Sequence, residues 1–178
     1  TPSATIGRTQ GGRQLTAPTL EATLGQRLRA DGHTIATAES CTGGLIASRL
    51  TDISGSSAYV LGGVVAYSNE AKMSLLNVRQ GTLIAYGAVS EPTATEMASG
   101  ARALFNTDFA LSVTGIAGPG GGTADKPVGL TYIGLASADG VQVRRFIWEG
   151  DRIANKRQSA DAALGMLLDL LDQQAGAS

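Results

Sequence analysis

The chain of 178 residues has one cysteine (Cys41) and one histidine (His33), so it lacks the groups that most enzymes use for proton and metal chemistry. A single cysteine closes no internal disulfide, which excludes a stapled secreted scaffold. One cysteine and one histidine cannot supply the three or four nitrogen and sulfur ligands of a zinc site. A Ser-His-Asp triad could draw only on His33, and a Cys-His pair only on Cys41 with His33. Neither sign of charge is in excess: 14 Lys+Arg stand against 15 Asp+Glu, a net charge of −1. That balance offers no basic footprint, so no nucleic-acid partner is expected. Long hydrophobic runs are missing too. The longest uncharged stretch, residues 53–69, holds four serines, three glycines and an asparagine, whereas a spanning helix needs about 20 mostly apolar residues. No membrane partner is expected. The N-terminus has no apolar signal-peptide core, and a reducing, cytoplasmic setting is the expectation. Proton chemistry in such a chain falls to lysine, tyrosine or carboxylates.

Glycine, by contrast, is abundant: 24 of 178 residues, about twice the average usage of roughly 7%. Residues 1–17 carry two arginines, no acid and only isolated apolar side chains, too little burial to offset the ordering entropy. They read as a flexible arm or linker remnant, and residues 18–178 as one domain. Leu20, Leu24 and Leu28 recur at helical spacing before Gly32. Residues 34–38 read as a short strand, 45–53 as a helix and 59–67 as a strand in which Gly62-Gly63 marks a bulge or close approach. Ser68 suits an N-cap for a helix through Lys72 to Leu76. Ser90-Glu91-Pro92 opens a helix with Ala94, Met97, Ala98, Ala101 and Leu104 toward the core. Residues 109–113 form a buried-type strand. Strands at 128–136 and 141–148 bracket an Asp139-Gly140 turn, and a helix over about 151–171 has Ile153, Ala160, Leu164, Leu167, Leu168 and Leu171 at helical spacing. Alternating strands and helices followed by a hairpin predict an α/β fold: a three-layer α/β/α sandwich on a mixed, mostly parallel sheet.

Two glycine-rich segments each follow a predicted strand: Glu39-Ser40-Cys41-Thr42-Gly43-Gly44, and Thr114-Gly115-Ile116-Ala117-Gly118-Pro119 with the three glycines after it. Such turns expose backbone N–H groups able to hold a phosphate, a carboxylate or an oxyanion, and equally serve tight packing. Neither matches a nucleotide-binding fingerprint. Ser40 stands where several hydrolase folds present a nucleophile, with Cys41 its rival. Lys72 lies early in its helix, against the dipole. To act as a base near pH 7 it must fall roughly 3 units from about 10.4, about 4 kcal/mol of differential stabilisation; from its own sequence context it reads as a solvated lysine. Arg152 and Lys156, at i and i+4 after Gly150-Asp151, read as a phosphate clamp or a solvated face. His33 receives no role.

Together these segments resemble the CinA C-terminal domain family, which also occurs as stand-alone nicotinamide-nucleotide amidases. The matching stretches are Thr37-Ala38-Glu39-Ser40-Cys41-Thr42-Gly43-Gly44, Gly55-Ser56-Ser57, Tyr67-Ser68-Asn69-Glu70-Ala71-Lys72, Gly87-Ala88-Val89-Ser90-Glu91, Thr114-Gly115-Ile116-Ala117-Gly118-Pro119, Lys126-Pro127-Val128-Gly129-Leu130 and Gly150-Asp151-Arg152. The resemblance implies hydrolysis of the carboxamide of nicotinamide mononucleotide to nicotinic acid mononucleotide and ammonia, with no metal or organic cofactor. It implies Ser40 as nucleophile, Tyr67 and Lys72 as the residues that activate it, and Arg152 near the substrate. With those roles the turn of Cys41, Thr42, Gly43 and Gly44 would hold the oxyanion, and the Thr114, Gly115 and Gly118 segment would orient a small nucleotide substrate. A homodimer is also implied by the resemblance.

Two other readings remain open on sequence. One is a non-catalytic nucleotide-binding or assembly module, since many such domains are fused to a pyrophosphatase-like domain. The other is a phosphate-binding α/β domain acting on a different amide or ester.

Overall fold

The computed structural model describes residues 17–177; the expected arm, apart from Ala17, lies outside them. Their elements in chain order are α1 (Leu20–Asp31), β1 (Ile35–Glu39), α2 (Leu45–Thr51), β2 (Val60–Val65), α3 (Asn69–Leu76), α4 (Gln80–Tyr86), α5 (Glu91–Phe105), β3 (Phe109–Gly115), β4 (Leu130–Ser137), β5 (Gly140–Ile147) and α6 (Arg152–Gly176).

Local chemistry sets most helix ends. The side chains of Thr19, Ser68, Ser90 and Asp151 each accept from the backbone N–H three residues on, capping α1, α3, α5 and α6. Gly32 closes α1 in the left-handed region at φ 69°. The sheet order is β2-β1-β3-β4-β5. β1 pairs in parallel with β2 and β3, while β3–β4 and β4–β5 are antiparallel. Four strands therefore share one direction and β4 is reversed. Helices α1, α2 and α6 cover one face, with a core including Leu24, Ile46, Leu111, Ile133 and Leu164. Helices α3, α4 and α5 lie on the other, around Leu76, Met97, Ala98 and Ala101. This is the expected three-layer sandwich.

Several local expectations are corrected. The bulge in β2 falls at Leu61, between the pairs Ile35–Val60 and Ala36–Gly62. Gly62 and Gly63 are instead close approaches: a Cβ would run into the Phe105 ring at the first and the Thr37 hydroxyl at the second. The hairpin loop is Ala138-Asp139, with Gly140 already paired to Ser137. Leu104 and Ile153 are about half exposed, at 52% and 54%, rather than core residues. Helix α4 was not expected. No helix among the described residues is long and apolar enough to cross a membrane.

Candidate active site

The parallel strands β1, β2 and β3 end at the same edge of the sheet, the edge at which open α/β folds bind ligands. Ser40 follows β1, Tyr67 follows β2 by two residues and Thr114-Gly115 ends β3. A cavity of about 270 Å³ opens there, walled by Ser40, Cys41, Lys72, Thr114, Gly118 and Arg152 among others. Among the described residues that line it, none is acidic.

Lys72 is at the centre of the site. The Ser68 cap starts α3 just after β2, and one turn later the helix drives the Lys72 side chain inward, where the residue is 1% exposed. Its Nζ lies 3.1 Å from Ser40 Oγ, 2.9 Å from the Ala66 carbonyl and 3.3 Å from the Tyr67 carbonyl. Burial lowers its pKa from the ordinary lysine value, against a smaller opposing effect of Cys41. No carboxylate pairs with it among the described residues. In the neutral amine, two N–H bonds donate to the two carbonyls and the lone pair faces the Ser40 hydroxyl. That is the arrangement of a general base beside a nucleophile. The solvated lysine of the sequence context is thus replaced by a buried one.

Cys41, also at the cavity wall, stays a thiol: burial, with a smaller contribution from the Glu39 charge, pushes its pKa up to about 11. Burial thus disfavours a Cys41 thiolate, while Ser40 Oγ is the atom that Lys72 Nζ meets. The backbone after Ser40 turns sharply, with Gly43 and Gly44 in the left-handed region at φ 63° and 99°. The Gly43 N–H is used inside the turn, donating to the Ser40 carbonyl at 3.1 Å. Those of Cys41 and Thr42 have no backbone acceptor among the described residues, and of the two only Cys41 lines the cavity, so it is the residue whose N–H is available to an oxyanion there. Thr42, Gly43 and Gly44 do not themselves line the cavity, and the Thr42 hydroxyl is buried without a hydrogen-bond partner among the described residues.

The phenol of Tyr67 meets neither Ser40 nor Lys72. Its residue is 62% exposed at the mouth, and its oxygen accepts a 3.1 Å hydrogen bond from Arg152 Nη2. Arg152 Nη1 donates at 2.8 Å to the Gly118 carbonyl. The guanidinium therefore ties the β2–α3 loop to the glycine-rich loop. Thr114 Oγ1 donates to the Ala88 carbonyl at 2.7 Å and fixes the wall formed by Ala88 and Val89. Gly115 is required by packing, because a Cβ would sit 2.7 Å from Thr131 Oγ1 and 2.8 Å from the Leu130 carbonyl.

Two positioning residues escaped the sequence reading. Glu39, 1% exposed, accepts from the Ile46 and Ala47 N–H groups at 2.9 and 3.0 Å, capping α2, whose own N-cap Gly44 has no side chain. A lone acid closing an apolar strand was the available signal. Asn155 donates to the Ala117 carbonyl at 3.1 Å and accepts from the Gly150 N–H at 3.0 Å, pinning the glycine-rich loop to the start of α6.

Residues 17–171 match the family model described as CinA C-terminal domain. The chain is 54% identical over 157 residues to a CinA-like protein of Chloroherpeton thalassium, covering 86% of this chain and 37% of that protein. It is 54% identical over 134 residues to a CinA-like protein of Geotalea uraniireducens, covering 75% and 32%. The chain thus spans about a third of the length of these curated relatives. Among solved structures, the competence/damage inducible protein CihA from Agrobacterium tumefaciens superposes with a TM-score of 0.80 at 44% identity, covering 86% of this chain and 96% of that one. A CinA superfamily protein from Klebsiella pneumoniae 700603 gives 0.84 at 34% identity, with coverages of 86% and 96%.

Proposed function

Because the chain belongs to the CinA C-terminal domain family, we propose that it is a serine amidohydrolase that converts nicotinamide mononucleotide to nicotinic acid mononucleotide and ammonia. The observation that carries this reading is the desolvated Lys72 amine 3.1 Å from Ser40 Oγ, without a carboxylate partner among the described residues. A binding module has no use for a buried, unpaired lysine aimed at a serine hydroxyl, and burying an ionisable amine costs stability.

In the proposed mechanism Ser40 Oγ attacks the carboxamide carbon while its proton passes to Lys72 Nζ. The carbonyl electrons move to oxygen, and the Cys41 N–H holds the oxyanion. On collapse the C–N bond breaks, and the departing amide nitrogen takes the proton from Lys72 to leave as ammonia. Water then adds to the acyl-enzyme, giving its proton to Lys72. The second tetrahedral intermediate expels Ser40 Oγ, which recovers that proton, and the product ionises to a carboxylate. Arg152, beside the glycine-rich loop, receives the phosphate; Tyr67 orients Arg152 through its phenol. This differs from a phenol-relayed proton path, since Lys72 meets Ser40 directly.

The test is ammonia release from nicotinamide mononucleotide, nicotinamide and glutamine. Turnover of the nucleotide alone supports the assignment, and turnover of another amide moves the substrate class. Nucleotide binding without turnover of any of the three establishes the binding-module reading instead.

A further inference from the structure

The start of a helix normally lends positive potential to the turn before it. Here that contribution is already matched, because the Ile46 and Ala47 N–H groups at the start of α2 are bound to the buried Glu39 carboxylate. An oxyanion held by the turn after Ser40 would form in the field of that negative charge, which already acts on Cys41. A cation on another element offsets it. Lys156, one helical turn after Arg152 on α6, carries its ammonium over the same turn: a Cβ added at Gly43 would lie 3.6 Å from Lys156 Nζ. Among the described residues Lys156 makes no hydrogen bond or ion pair, and its charge favours the ionised form at Cys41, opposing Glu39.

We infer that Lys156 is a positioning residue for the oxyanion: its ammonium keeps the Cys41–Gly43 turn electropositive against Glu39 and thereby speeds turnover. This rests on the reading of Ser40 as the nucleophile of an amidohydrolase. It is distinct from phosphate binding. Lys156 does not line the cavity that Ser40, Gly118 and Arg152 share, so it touches no substrate bound there, and its ammonium acts through the turn after Ser40. Its field falls on charge that develops at the carbonyl oxygen, so it favours the transition state over bound substrate.

The experiment compares wild type, Lys156→Gln and Lys156→Arg in two assays. One is turnover of nicotinamide mononucleotide. The other is calorimetric binding of 3-pyridineboronic acid, whose boron takes the Ser40 oxygen to form a tetrahedral anion as the proton passes to Lys72. In Lys156→Gln, kcat falls about tenfold, the equivalent of about 1.4 kcal/mol. This is less than the about 10²–10³ lost with a direct oxyanion donor, because the ammonium acts from a distance. KM stays within about twofold, boronate binding weakens by the same factor as kcat, and Lys156→Arg restores both. Unchanged kcat and boronate affinity in Lys156→Gln overturn the inference, as does a raised KM at constant kcat, which would make Lys156 a ligand of bound substrate. Wild-type protein that neither turns over nor binds the boronate removes the Ser40 reading and this inference with it. Boronate binding that weakens in Lys156→Gln without any turnover upholds the inference and rejects only the substrate.

Discussion

Replacing Lys72 by methionine removes the amine from a site that is 1% exposed while keeping most of its volume, and it separates two opposing contributions to stability. The Ala66 and Tyr67 carbonyls lose the donor that reaches them at 2.9 and 3.3 Å. A buried acceptor left without its partner costs about 1–3 kcal/mol. Against this, burial lowers the lysine pKa from 10.5, so between the lowered value and 10.5 the unfolded chain binds one proton more than the native one. In that window the stability of the wild type rises with pH by about 1.36 kcal/mol per unit. Below the window the buried-ammonium penalty is fully present; above it, the penalty is gone. Lys72→Met has no such slope. The advantage of wild type over variant is therefore smallest at low pH, widens as pH climbs through the window and levels off above about 10.5. Urea titrations of both proteins at pH 6, 8 and 10, followed by far-UV circular dichroism, measure that difference. In parallel, kcat drops by about 10²–10⁴, the usual contribution of a positioned base, and the acid limb of the wild-type pH–rate profile disappears. A stability difference that stays constant or narrows with pH, together with retained turnover and an intact acid limb, would refute the neutral, desolvated base.

Ser40→Ala is expected to fold normally and lose about 10⁶ in kcat, the scale of a lost nucleophile. Cys41→Ala keeps most turnover, because a thiol with a pKa of about 11 is scarcely ionised at pH 8; a dead Cys41→Ala beside an active Ser40→Ala reverses the assignment. Arg152→Ala frees the Gly118 carbonyl and the Tyr67 phenol, and raises KM by roughly 10–150-fold if one charged hydrogen bond to phosphate contributes about 1.5–3 kcal/mol. An unchanged KM in steady-state assays removes it from phosphate binding. Glu39→Gln turns one carboxylate oxygen into an N–H₂ donor facing the α2 amide protons, costing about 1.5–3 kcal/mol in urea denaturation; Glu39→Asp, too short to reach both amides, fails to restore it. Gly100→Ala aims a Cβ into the Leu76 carbonyl where α3 crosses α5, and thermal melting should report a loss at the high end of single-site effects.

The elements legible in the sequence are those whose determinants lie within a few residues of one another. Thr19 with Gly32, Ser68, Ser90 and Asp151 mark helix ends through hydrogen bonds spanning three residues or a single left-handed glycine. Helix α4 carries no such mark: its N-cap Arg79 makes no side-chain cap, and Ile84 and Tyr86 point outward at 78% and 57% exposure. It is held from outside, by Leu83 in the core and by the Glu96 carboxylate on α5, which bonds both Arg79 and Thr82. Ile153 and Leu104 satisfy helical spacing and still face solvent, because spacing gives a face but not the width of the neighbour covering it.

What the sequence determined by itself was the class of fold, the helix-end signals at Gly32, Ser68 and Ser90 and the family-like segments, while one cysteine and one histidine are too few for a zinc site of nitrogen and sulfur ligands. The tertiary structure decided which of the remaining polar groups meet. Ser40 and Lys72 are 32 residues apart and Tyr67 and Arg152 are 85 apart; they converge because the four strands that share one direction, β1, β2, β3 and β5, end at one edge of the sheet. The same lysine reads as solvated along its helix and is desolvated beside Ser40 only when the sheet and α3 enclose it. Protonation state depends on the dielectric and charge around a group, and that surrounding is assembled from distant parts of the chain. The scarcity of histidine and cysteine narrowed the candidate groups to lysine, tyrosine and carboxylates, and the fold places the lysine, buried, beside Ser40.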